Sequence, residues 1–301
     1  MPTVSENYVD GEWTVSETGE TFAVRNPAEP SSITGRFQAS APGDVEVAVA
    51  AAVDAQEEWA DTPGPDRGDV LKRASELLES RKESATERLV REEGKTRSEA
   101  AGEVQRAIDI FAYYAQKCLD LGGISKSASG RNTDLYTKRE PLGTVALITP
   151  WNYPVAIPAW KLAPALAAGN TAVIKPASAA PGMTALLFEC LDEAGLPDGV
   201  ANMVTGSGGD VGTPLAEHDD VDGVSFTGST AVGTSVAQSA ANDLKRVQCE
   251  MGGKNPTVVM PSADIDEAAE ILGVGAFGTT GQSCTAASRA IVHEDAYHEF
   301  V

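Results

Sequence analysis

Residues 143–175 read GTVALITPWNYPVAIPAWKLAPALAAGNTAVIK, and this stretch decides the fold class. VALIT (145–149) and TAVIK (171–175) are short apolar runs, as expected of strands buried on both faces. Between them, about 155–168 is long enough for a crossover helix. Strand, helix and strand in this order form a βαβ unit, in which the two strands are parallel. The texture repeats downstream. VANMV (200–204), GVSFT (223–227) and KRVQC (245–249) are strand candidates, with helix-length stretches at about 182–194, 209–217 and 230–241. The alternation predicts an α/β fold with a Rossmann-like, doubly wound parallel sheet and its ligands at the carboxyl ends of the strands.

Outward from this block the pattern changes twice. Residues 1–40 alternate β-like runs with turn clusters, whereas 44–118 carry helical periodicity: Val45, Val49, Ala52 and Val53 share one face, then Leu71, Ala74, Leu77 and Leu78, then Ile108, Phe111 and Ala112. Residues 124–140 are polar and read as a projecting hairpin. A second α/β unit begins near Met251, with strand TVVM (257–260), a helix capped by Asp264, a loop and helix start around GQSCTA, and strand ASRAIVH (287–293). The expected division is a cofactor-binding domain over 1–123 and 141–250, an oligomerisation hairpin at 124–140, and the beginning of a catalytic domain at 251–301. About fifty residues are too few for a comfortable core of their own, so the chain is expected to be C-terminally truncated.

Twenty-three Lys and Arg against 44 Asp and Glu leave a net charge of −21. Such a field repels polyanions, which excludes nucleic acid and an anionic membrane surface as partners but leaves a small anion possible where local cations converge. The acidic residues are interspersed with apolar ones, so a solvated acidic shell around a folded core is expected, similar to that of proteins from salt-loving organisms. No window of eighteen apolar residues occurs and residues 1–30 lack a basic, then apolar, leader pattern, so a cytoplasmic location is expected. The cysteines, Cys118, Cys190, Cys249 and Cys284, have no zinc-ligand or CxxC spacing, and neither a metal site nor a disulfide framework is expected.

Four motifs carry candidate chemistry. Gly228-Ser229-Thr230-Ala231-Val232-Gly233 follows a strand and opens a helix, where backbone N–H groups and the helix dipole favour a phosphate. It lacks the P-loop lysine and is not GxGxxG, and alone it is a plain turn as often as a cofactor site. Cys284 sits among small residues at an expected loop–helix junction, a setting that activates a thiol, although a lone cysteine is usually a small buried hydrophobe. Cys118, Cys190 and Cys249 take that blander reading. Glu250 ends a strand beside two glycines and is either a general base or a solvated turn residue. Pro150-Trp151-Asn152-Tyr153-Pro154 offers an amide for an oxyanion and an indole for a flat ligand, or is simply a braced loop.

Together these segments are more specific than any one of them. TPWNYP, KLAPALAAGNTAVIKP, FTGSTAVG, EMGGKNP and GQSCTAASR occur in the order found in the NAD(P)-dependent aldehyde dehydrogenase superfamily, which the sequence resembles along essentially its whole length, with similarity to the semialdehyde branch. The resemblance implies that Cys284 is the nucleophile, that Asn152 and the Cys284 N–H hold the oxyanion, that Glu250 activates the water releasing a free acid, and that Lys161 supports the same site. It also implies NADP or NAD as cofactor, held by Lys175, Ser229, Gly228 and Gly233 with Thr227 and Trp151 as neighbours. Ser178 stands where NAD-selective members often carry a glutamate, so NADP should be accepted.

The implied substrate is a small aldehyde such as the 2-oxo acid semialdehyde 2,5-dioxopentanoate, and the full-length form is expected to be a homo-oligomer. Two further readings stand beside it: a catalytically incompetent NAD(P)-binding fragment, and a cysteine hydrolase using Cys284 with His293 as base.

Overall fold

The computed structural model describes residues 4–301, so residues 1–3 of the expected N-terminal β region lie outside the described residues. That region contains β1 (Val4–Ser5), β2 (Asn7–Val9), β3 (Glu12–Thr14), β4 (Thr21–Asn26) and β5 (Glu29–Gln38). Four helices follow: α1 (Pro42–Asp61), α2 (Gly64–Ser80), α3 (Lys82–Glu93) and α4 (Arg97–Lys117). Val45, Val49 and Ala52 on α1, Leu71, Ala74 and Leu78 on α2, and Ile108 and Phe111 on α4 are buried as the sequence predicts, while Leu77 and Ala112 are half-buried at the edges of their faces and Val53 is exposed, one position round the helix from Ala52. Next comes an exposed antiparallel hairpin of β6 (Ser125–Ser127) and β7 (Asp134–Tyr136).

The alternating block comprises β8 (Thr144–Ile148), α5 (Ala156–Ala167), β9 (Thr171–Lys175), α6 (Gly182–Glu193), β10 (Ala201–Met203), α7 (Thr213–Glu217), β11 (Gly223–Gly228), α8 (Thr230–Asn242) and β12 (Arg246–Met251). The expected helix at 209–217 is split: the glycine-rich turn Gly208–Gly212 winds more widely, with π-type bonding, and only Thr213–Glu217 is α-helical. The sheet order is β12-β11-β8-β9-β10-β2-β3. From β12 to β10 all neighbours are parallel, and β2 and β3 extend the β10 edge antiparallel. Chain order reverses between β8 and β11, so the topological switch point opens at the carboxyl ends of those two strands.

β8 and β9 are buried on both faces, and their alternation divides the core. Val145, Leu147, Ala172 and Ile174 pack on one side with α2, α4, α5 and α6; Ala146, Ile148 and Val173 pack on the other with α1, α7 and α8.

Beyond the sheet lies a smaller unit of β13 (Asn255–Val259), α9 (Ile265–Phe277), β14 (Ala287–Val292) and α10 (Glu294–Phe300), with β13 and β14 parallel. Asp264 caps α9 by accepting the Glu267 N–H at 3.0 Å, as its sequence position predicts. Its buried cluster consists of Val259, Ile265 and Ala296, while Phe277, Val274 and Ile291 are exposed. Among the described residues no helix is long and apolar enough to cross a membrane, and no cluster of metal-ligating side chains occurs.

Candidate active site

Strand register assembles the first part of the site. Ser225 pairs with Gln248 and Thr227 with Glu250 across β11 and β12, and alternation turns these four side chains to one face of the sheet. On that face Lys161 of α5 donates from Nζ to Ser225 Oγ at 2.6 Å, Ser225 Oγ donates to Gln248 Oε1 at 2.9 Å, and Gln248 Nε2 donates to Glu250 Oε1 at 3.2 Å. Lys161 is buried, and desolvation lowers its pKa to about 8 although the Glu250 carboxylate pulls the other way. Lys161, Thr227, Glu250 and Cys284 line one cavity of about 630 Å³. Glu250 itself is exposed.

The loop carrying Cys284 is fixed by side chains distant in sequence. Asn152 Nδ2 donates to the Gln282 carbonyl at 2.7 Å, Asn255 Nδ2 to the Cys284 carbonyl at 2.8 Å, and the Thr279 N–H to Glu99 Oε1 at 2.7 Å. One expectation is corrected here: no helix opens at Cys284. The residue lies in a turn, where Ser283 Oγ accepts the Thr285 N–H and the Ser283 carbonyl accepts the Ala286 N–H, and the chain runs directly into β14. Hydroxyl side chains on either side of the thiol compete for the backbone groups that a first helical turn needs, and the pairing of β14 with β13 claims the following residues. Of the four cysteines Cys284 is the exposed one; Cys118 and Cys190 are buried and Cys249 half-buried. Desolvation raises the pKa of all three of those thiols, that of Cys190 to about 11.

The oxyanion candidate is held by a buried tether that has no signature in the sequence. Lys95 pairs with Glu103, reaches the Asn152 carbonyl and lies 4.1 Å from the centre of the Tyr153 ring. Glu103 Oε1 accepts the N–H groups of Val155 and Ala156 at 3.0 and 3.1 Å, fixing the start of α5. A Lys and a Glu eight residues apart across a loop and a helix follow no periodicity, so only the fold brings them together.

The cofactor candidates gather at the carboxyl ends of β8, β9 and β11. Ser229 caps α8, accepting the Val232 N–H at 3.4 Å, and leaves that helix end open at the switch point. Gly228 and Gly233 are sites of close approach: a Cβ would stand 2.5 Å from the Phe226 ring at the first and 2.6 Å from Met251 Sδ at the second. Lys175 is buried, its Nζ donates to the Pro176 carbonyl at 2.9 Å, and desolvation lowers its pKa to about 8. Ser178, three residues further on, donates to the Gly206 carbonyl at 2.6 Å, so a 2'-phosphate would compete for that hydroxyl proton. Trp151 is exposed beyond β8, and Thr149 Oγ1, buried at the end of that strand, has no hydrogen-bond partner among the described residues. An orphaned hydroxyl, an open helix end, a lysine with only a neighbouring carbonyl to bond and two side-chain-free approaches suit a phosphate-bearing dinucleotide.

Fold and site define the class first: a doubly wound α/β protein with an open helix end at its topological switch point and a cysteine on an adjoining unit. The aldehyde dehydrogenase family model matches residues 13–301, and the chain belongs to that family. It is 61% identical over 301 residues to an alpha-ketoglutarate semialdehyde dehydrogenase of Haloferax volcanii, covering 100% of this chain and 62% of that protein. A 2,5-dioxopentanoate dehydrogenase of Saccharolobus solfataricus is 44% identical over 95% of this chain and 60% of its own length. Among solved structures, that of 3,6-anhydro-L-galactose dehydrogenase in complex with NAP superposes with a TM-score of 0.94 at 36% identity, over 99% of this chain and 62% of that one. The chain thus spans about three fifths of the length of the relatives it matches. Its acidic, lysine-poor composition accords with the Haloferax relative.

Proposed function

We propose that the protein oxidises an aldehyde to the carboxylic acid with NAD or NADP, and that its substrate is a 2-oxo acid semialdehyde of the 2,5-dioxopentanoate type. The observation that carries the reaction class is the convergence of Cys284, Glu250 and Lys161 on one cavity while Asn152 holds the loop two residues before the thiol. The names of the semialdehyde relatives support the substrate class.

In this reading the Cys284 thiolate attacks the aldehyde carbon, forming the C–S bond and leaving the charge on oxygen. The second Asn152 amide hydrogen and the Cys284 N–H, neither bonded to another described residue, stabilise that oxyanion. Bound NAD(P)+ supplies the hydride acceptor. Glu250, kept in place by Gln248, takes a proton from the water that attacks the resulting thioester, and the C–S bond breaks to give acid and free thiol. Lys161 supports Glu250 from behind through Ser225 and Gln248. Lys175, Ser178, Thr227, Gly228, Ser229, Gly233 and Trp151 hold the dinucleotide, and NADP is accepted because no carboxylate stands at position 178.

The test is initial-rate reduction of NAD+ and NADP+ at molar KCl with 2,5-dioxopentanoate, for this chain and for Cys284→Ala. Reduction that depends on Cys284 supports the proposal, and reduction unaffected by Cys284→Ala overturns it. Dinucleotide binding with no reduction by either protein supports the alternative, a binding fragment without catalysis. The hydrolase reading loses its base: His293 caps α10, its Nδ1 accepting the Asp295 N–H at 3.2 Å, and it does not line the Cys284 cavity.

A further inference from the structure

A second, smaller pocket of about 240 Å³ adjoins the oxyanion loop, below the roughly 300–1,000 Å³ of a drug-sized ligand site. Tyr153, next to Asn152, and Thr279, five residues before Cys284, form one side of it; Gly102 and Arg106, one turn apart on α4, form the other. Gly102 faces open space, which gives the pocket its room.

The charges around this pocket are unequally engaged. Glu103 receives Lys95 and two backbone N–H groups, and Lys95 is in turn occupied by Glu103 and the Asn152 carbonyl. Glu99 accepts the Thr279 N–H on Oε1 and the Thr96 N–H and hydroxyl on Oε2, and these donors hold it below the usual carboxylate range. Arg106 alone of the charged side chains lining the pocket has no ion pair or hydrogen bond among the described residues. Arg106 is exposed, and in a chain of net charge −21 an arginine with no described partner, beside Tyr153 and Thr279, is a local exception to a field that otherwise repels anions.

We propose that Arg106 binds the remote carboxylate of the substrate, so that this pocket selects anionic semialdehydes over neutral aldehydes of the same length. The inference rests on the aldehyde-oxidising reading of Cys284. A guanidinium presents two parallel N–H donors to a carboxylate, and the pocket that Arg106 lines is bordered by Tyr153, next to Asn152, and by Thr279, in the loop that leads to Cys284.

The test compares the 301-residue chain with Arg106→Gln, Arg106→Lys and, as a charge-removal control, Arg131→Gln on the exposed hairpin. Binding of 2-oxoglutarate, the acid that 2,5-dioxopentanoate oxidation yields, is read by protection of Cys284 from iodoacetamide, which needs no turnover. Arg106→Gln is expected to weaken protection about 10- to 100-fold, Arg106→Lys less, and Arg131→Gln not at all. Where turnover is present, the ratio of kcat/KM for 2,5-dioxopentanoate over pentanal falls by a similar factor in Arg106→Gln. Equal protection in the unmodified chain and Arg106→Gln, absence of protection in both, or an unchanged ratio overturns the role of Arg106. Loss of oxidation of every aldehyde in all proteins instead counts against the proposed function, and the protection arm still decides on Arg106.

Discussion

Lys161 is a buried amine whose charge the fold opposes. Its pKa falls from 10.5 to about 8, so the folded state binds this proton less tightly than the unfolded chain. The stability it contributes is fully present above pH 10.5, is lost as pH falls through about 8, and its cost is constant below that. Lys161→Met is therefore expected to raise stability at pH 6.5, by up to about 3 kcal/mol, relative to its effect at pH 10.5. Urea denaturation of both proteins at the two pH values checks this, and an equal effect at both would show that the lysine is not desolvated in solution. Cys284 teaches a different lesson at the same scale. Its small neighbours and the GQSCTA motif marked it in the sequence, but the helix expected there is a turn, because Ser283 and Thr285 bond locally. The geometry instead assigns the support of this loop to Asn152, Asn255 and Glu99.

At the scale of elements, α8 packs on β11 and β12 through two glycines whose tolerance should differ. A methyl at Gly228 meets the ring of Phe226, which is 3% exposed, at 2.5 Å, whereas at Gly233 its nearest contact is the flexible, exposed Met251 side chain and the same ring stands farther off, at 3.1 Å. Gly228→Ala is expected to cost about 1–3 kcal/mol and to weaken dinucleotide binding; Gly233→Ala should cost less. Thermal melts with and without NADP+ test the order, and the reverse order would mean that α8 and not the Phe226 ring limits the approach. The central βαβ elements were legible because β8, β9 and β10 are buried on both faces, and the outer β11 and β12 because they alternate apolar with polar residues. The split helix at 208–217 was less so, since glycines there allow several turn geometries.

For the whole molecule the decisive quantity is a net charge of −21 on 301 residues. Repulsion among unpaired carboxylates opposes compaction and is screened over about 10 Å at 0.1 M salt but about 3 Å at 1 M. The melting temperature is expected to rise between those concentrations of KCl, while sucrose at matched osmolality gives a smaller rise. Equal responses to salt and sucrose would remove the electrostatic explanation. The small β13–β14 unit adds a second global feature: with three buried core residues and an exposed Phe277, its order is tied to the contacts that Glu99 and Asn152 make with its loop.

The sequence by itself determined the doubly wound sheet, the order of its strands and helices, and the candidate positions for chemistry, because apolar periodicity and short motifs are local properties of the chain. Only the tertiary structure decided which of those positions meet. The Lys161–Ser225–Gln248–Glu250 chain depends on strand register, the Lys95–Glu103 tether on a loop folding back over α4, and the lone charge of Arg106 on which neighbouring carboxylates already have donors. Each of these is a contact between segments far apart along the chain or off any repeat, and packing alone sets it.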